Sequence, residues 1–194
     1  MGCAVVGLAG GVAFAQGASG SAKAGAGAAA GAGSAKAADK AAPPAMQMPK
    51  PAQELLDMTK NMGGTWKCTG KVHMPGADMD VTADIKGKMD VDKMWWHESL
   101  TQTKSKTPYK FEAYMTYDAA TKTWMRVAVD NMGVVESTTS SDGKTWTGTS
   151  MGMGQKAQVK TVATPGDKTL NLVGTMSADN GKTWTPTFEM DCKK

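Results

Sequence analysis

The residues able to do chemistry in this 194-residue chain are few: two histidines (His73 and His97), three cysteines, and one arginine, Arg126, within a Lys+Arg total of 22. No Cys-x-x-Cys or His-Glu-x-x-His spacing occurs. Neither a redox dithiol nor a helical zinc site is therefore assembled locally. His97 and Glu98 are neighbours in an extended stretch, where successive side chains point to opposite faces and do not act as a pair. His73 stands just before the turn Met74-Pro75-Gly76 and reads as a solvated loop side chain. No catalytic residue is expected, and the chain reads as a non-enzyme.

Sixteen methionines raise the question of a soft metal such as Cu(I). Met46-Gln47-Met48 and Met151-Gly152-Met153 are the tightest groups. The others are spread at positions typical of a core, where the flexible thioether fills gaps, so no metal site is expected. Haem bound through histidine needs His97 to point inward. Alternation puts Met94, Trp96, Glu98 and Leu100 on the inner face and His97 outside, so no cofactor is expected and a haem-binding barrel is only an alternative.

Arg126 allows two orientations in Trp124-Met125-Arg126-Val127-Ala128-Val129-Asp130. With Trp124 inward, Arg126 and Asp130 are polar groups inside the fold. The planar guanidinium then meets a ligand carboxylate or pairs with Glu98. With Met125, Val127 and Val129 inward, Arg126 lies in solvent. Three consecutive apolar alternates favour this second orientation.

The elements that position these residues are strands. From Gly64 the apolar pattern has a period of two, with turn signals about every ten residues. Asp142-Gly143 and Asn180-Gly181 predict two-residue hairpin turns with both central φ values positive. Each is followed by Lys-Thr-Trp, and Asp118-Ala119-Ala120-Thr121-Lys122-Thr123-Trp124 echoes the pattern. Short connections throughout imply antiparallel neighbours. Roughly ten such strands favour closure into an up-and-down barrel, with a two-sheet sandwich as runner-up. In the first strand Trp66 and Cys68 share the apolar face. In the last, Trp184, Pro186, Phe188, Met190 and Cys192 do so. First and last strands are neighbours in a closed barrel, which predicts a disulfide between Cys68 and Cys192. One helix is expected over 51–63, with Pro51 at its first position, Gly63 at its end, and Leu55, Met58 or Thr59, and Met62 on the face that caps the barrel.

The chain divides into three parts. Residues 1–15 resemble a secretory signal ending at Ala13-Phe14-Ala15, with a lipid anchor through Cys3 as the minority reading. Residues 16–50 form an Ala/Gly/Pro-rich linker too poor in large apolar groups to fold. Residues 51–194 hold all six tryptophans and form the domain. Three of the four net positive charges lie in residues 1–50. The domain is almost neutral and lacks the basic stripe that nucleic acid binding requires. An exported protein, periplasmic or extracellular, without a transmembrane segment in its mature chain, is expected to act as a monomer.

Several short motifs then occur in a telling order: Pro51 and Glu54 ahead of Leu55-Leu56, Gly64-Thr65-Trp66, Met74-Pro75-Gly76, Tyr117-Asp118, and Asp130-Asn131-Met132-Gly133. Gly-x-Trp after a short helix is similar to the signature of lipocalins and other calycins. The ordered set resembles a bacterial family of secreted calycin-like (lipocalin-like) barrels catalogued as a domain of unknown function. The resemblance covers roughly residues 51–194 and implies an all-β, antiparallel calycin-like barrel, with no established chemistry. Barrels of this size hold one small apolar or amphiphilic ligand. Trp96, Glu98, Leu100, Phe111, Tyr117 and Arg126 are the candidate lining residues. The alternative is an envelope-associated barrel filled by its own side chains.

Overall fold

Apolar and polar residues alternate from turn to turn, and in the computed structural model each strand pairs with the next as an antiparallel neighbour. The structure describes residues 49–194; the signal peptide expected over residues 1–15 and all but the end of the linker expected over 16–50 lie outside the described residues. Helix α1 (Gln53–Thr59) is followed by β1 (Gly64–Met74), β2 (Ala77–Asp90), β3 (Trp95–Thr103), β4 (Lys110–Asp118) and β5 (Thr123–Asp130). Then come β6 (Val135–Ser140), β7 (Thr145–Gly152), β8 (Gln155–Pro165), β9 (Thr169–Ser177) and β10 (Thr185–Lys193). The sheet runs in sequence order and closes on itself through β1 and β10. The chain is thus an all-β, ten-stranded antiparallel barrel with one short N-terminal helix, consistent with a calycin-like fold in general. Among the described residues no helix is long and apolar enough to cross a membrane.

Closure rests on the β1–β10 seam. Cys68 and Cys192 are direct register partners there and are joined by a disulfide, as the alternation predicts. Beside them Gly70 faces Met190, and a Cβ on Gly70 would run into the Glu189 carbonyl. Glycine thus lets the two strands approach. Trp66, Ala83, Ile85, Leu100, Leu170 and Met190 pack around the disulfide.

Odd strands begin, and even strands end, at the same end of an up-and-down barrel. Helix α1 contributes Leu55 to this floor, where it packs fully buried with Trp96, Met115, Trp124 and Trp146. Trp96 fits because its ring lies over Gly87, where any Cβ would collide with it. The Trp66 indole N–H donates to the Met62 carbonyl at 2.9 Å, fixing the corner from helix to strand. Gly64 turns that corner with a φ of +99°, a conformation that glycine adopts without a Cβ clash.

The helix is shorter than expected. Ala52 is its N-cap, Pro51 precedes it, and it ends at Thr59 rather than near Gly63. The Thr59 hydroxyl donates back to the Leu55 carbonyl at 2.8 Å, a local bond that weakens helix continuation.

The Lys-Thr-Trp turns also differ from expectation. Asp142-Gly143 sits inside the longer connection from Ser140 to Thr145, and Asn180-Gly181 inside the connection from Ser177 to Thr185. Both φ values are positive only at Asn180 and Gly181. An aspartate carboxylate organises each turn instead. Asp142 accepts the N–H groups of Lys144 and Thr145 at 2.8 and 2.7 Å. Asp179 accepts those of Lys182 and Thr183 at 3.0 and 2.9 Å, with the Thr183 hydroxyl at 2.6 Å. Trp184, expected inward, is 41% exposed. A register shift between Pro186 and Phe188 breaks the alternation before it reaches that residue.

Two outcomes test these features. Replacing both Cys68 and Cys192 by serine is expected to lower stability by about 3–5 kcal/mol in urea unfolding, because the bridge closes a very long loop of the unfolded chain. An unchanged midpoint would remove the seam from the stability argument. Hydrogen bonds from Thr145 and Lys144 hold the Asp142 carboxyl at about 2, and those from Thr183 do the same for Asp179, against an ordinary 3.8. Because both folded values lie below the unfolded one, the stabilisation is complete above 3.8 and is lost as pH falls toward about 2. Asp142→Asn with Asp179→Asn is expected to flatten the fall of Tm over that acid window, measured by circular dichroism.

Candidate functional site

Arg126 points into the barrel. On β5 the buried residues are Trp124 and Ala128, while Met125, Val127 and Val129 lie exposed on the outer wall. The outward orientation favoured by sequence is therefore corrected. A strand does not choose its face alone. Ala113 and Met115 of β4 are register partners of Ala128 and Arg126 and are both buried. Turning β5 over would slip it against both neighbours and expel Trp124 from beneath α1.

The guanidinium lies between two carboxylates. Nη1 donates to Glu136 Oε1 at 2.9 Å, Nη2 is 3.7 Å from Glu98 Oε1, and the group lies 5.5 Å from the Phe111 ring centre. The side chains of Arg126, Glu98 and Glu136 are 19, 21 and 25% exposed, so the three groups are only partly desolvated. Arg126 is two residues beyond Trp124, and Glu98 two beyond Trp96. The triad thus stands one inward layer further from the helix than the tryptophan floor. Thr138 is the direct cross-strand partner of Arg126 and is 2% exposed. Neither its hydroxyl nor the Trp96 indole N–H has a hydrogen-bond partner among the described residues.

A clamp holds the rim above the triad. Asp130 Oδ1 accepts the N–H groups of Met132 and Val134, both at 2.9 Å, and Oδ2 accepts the Tyr109 hydroxyl at 3.1 Å. Asn131 accepts the Lys110 N–H and donates to the Pro108 carbonyl, each at 3.0 Å. Burial, reinforced by the charge of Asp130, holds the Tyr109 hydroxyl well above its ordinary range, so it remains a donor. Asp130-Asn131-Met132-Gly133 thereby ties the β5–β6 loop to the β3–β4 loop.

The arc formed by β1, β2, β9 and β10 is apolar at the same end. Met74, Met79 and Met176 keep the inward parity of their strands yet are exposed, with Val72 and Phe188 half-buried below them. These methionines were expected to fill a core. They stand exposed instead, because among the described residues no helix covers this end as α1 covers the other.

Of the six candidate lining residues, Glu98, Phe111 and Arg126 come together. Leu100 and Trp96 belong to the two packed clusters, and Tyr117 lies 4.8 Å from the Trp124 ring. Glu136 and Thr138 were missed, because Val135-Glu136-Ser137-Thr138-Thr139-Ser140 has no apolar alternation to mark its inner face. His97 is on the outer wall, bonded to Glu112 at 2.6 Å and stacked on Tyr114. His73 is no free loop residue, since its ring bonds Asp78 at 2.8 Å across the first hairpin. Among the described residues no three His, Cys, Asp or Glu side chains are grouped to hold a metal ion.

Arg126→Met leaves two carboxylates facing each other and is expected to cost about 2–3 kcal/mol, at or below the lower end of the range for fully buried pairs because the group is partly solvated. Adding Glu98→Gln and Glu136→Gln is expected to recover part of that loss. Equal urea midpoints for the single and triple variants would show that charge does not hold the three side chains together.

The chain matches no protein-family model, and no curated protein is significantly similar to it.

Proposed function

We propose that this chain is an exported, non-enzymatic binding protein that holds one small amphiphile in the open half of its barrel. The observation that carries this reading is the Glu98–Arg126–Glu136 triad, three charged side chains turned into the barrel one layer beyond its tryptophan floor. Burying charge is costly, and well-packed apolar residues of similar volume often stabilise such positions better. Local departures from the folding optimum of this kind tend to mark functional positions. The polar group of the ligand would meet the triad beside Phe111, and its apolar part would lie along Phe188, Met79 and Met176. The signal-like residues 1–15 support export. The ordered motifs from Gly64 to Gly133 support kinship with the secreted calycin-like barrels described above.

A side-chain-filled barrel is the second reading. Its support is that two grooves, of about 810 and 450 Å³, lie on the outside of the barrel wall and are lined largely by outward residues such as Thr69, Asn171 and Asp191. Titration with the neutral fluorescent amphiphile N-phenyl-naphthylamine separates the two. Saturable binding to one site is expected, weakened in Phe188→Ala. Absence of saturable binding favours the filled barrel.

A further inference from the structure

We infer, on the footing of that binding role, that the head group taken by the barrel is a primary ammonium rather than a carboxylate. The charge count inside the barrel points this way. Arg126 is the only cation at an inward strand position among the described residues, and it already faces two carboxylates, at 2.9 Å from Glu136 and 3.7 Å from Glu98. The triad therefore keeps one net negative charge, and Asp130 adds another at the rim on the same inward face of β5. An anionic head group arriving here meets like charge in a partly desolvated space, where Coulomb terms are stronger than in water.

The second observation is Thr138. Its hydroxyl is buried and has no hydrogen-bond partner among the described residues, and it stands directly across from Arg126 and two residues from Glu136. A buried polar atom left unpaired is costly. An ammonium group carries three donors and no acceptor. Glu98, Glu136 and the Thr138 hydroxyl are three acceptors drawn from neighbouring inward positions. A carboxylate head offers only acceptors, so it satisfies Thr138 but not the two glutamates. The apolar arc of Met79, Met176 and Phe188 at the same end suits an alkyl chain. Thioether side chains adapt to such chains without a fixed shape.

The test uses the full chain at neutral pH and chain-matched probes: decylammonium, decanoate and decanol, each competing with N-phenyl-naphthylamine. Decylammonium is expected to bind at least about tenfold tighter than decanoate, with decanol between them. The ratio should shrink as salt rises, since screening weakens partly exposed charges. Glu98→Gln with Glu136→Gln, checked for folding by circular dichroism, is expected to bring ammonium and carboxylate affinities together, and a preference for decylammonium that survives in this variant would overturn the assignment to the two glutamates. Decanoate binding as tightly as decylammonium in the wild type would overturn the ammonium assignment and leave the amphiphile site standing. Failure of all three probes and of the fluorophore would overturn both.

Discussion

A sheet has an inside only once its edges meet, and here they meet where β1 pairs with β10. That seam commits the last free row of backbone donors and acceptors, which an exposed edge would otherwise offer to other chains. It also fixes parity for the whole barrel. Cys68 opposite Cys192 sets the register covalently. A slip of one residue would turn every inward side chain of a strand outward. Trp66, two residues before Cys68 on the same strand face, takes its inward position from that alignment.

The two ends of the barrel are finished differently, and the difference separates stability from accessibility. At the floor, α1 presses Leu55 onto three tryptophans, giving a dry layer of large side chains that buries much of the apolar area. At the other end, turns and loops leave methionines and Trp184 exposed. The comparison of Trp146 with Trp184 is instructive, because both follow an aspartate-centred turn and Lys-Thr. One is covered by the helix and becomes core. The other emerges at the rim ahead of a bulge and remains on the surface. Between floor and rim lies the charged triad, shielded from bulk water but reached by it.

The motifs that suggest kinship are corners of this architecture. Gly64 and Trp66 turn the chain from helix to strand, and Gly76, with a φ of +86°, closes the first hairpin. Tyr117 packs on Trp124 while Asp118 receives the Ala120 N–H and the Thr121 hydroxyl. Asp130 and Asn131 clamp two loops. Such residues are constrained by backbone geometry, so they mark a fold and leave the contents of the barrel to other positions.

By itself the sequence determined the elements whose signals are local: strand period, turn sites, the helix, and, through alternation plus neighbourhood, the Cys68–Cys192 pair. Glu98 was legible as an inward residue because large apolar neighbours, Trp96 and Leu100, mark its face. What only the tertiary structure decided was the environment of Arg126 and its partnership with Glu136 and Thr138. Those residues sit on β5 and β6, where local patterning either favours the wrong face or marks none. Their orientation is imposed by registers with β4 and β7 and by the floor beneath α1. The open rim was decided in the same way. Exposure of Met74, Met79 and Met176 depends on whether another element covers them, which no local period in a strand records.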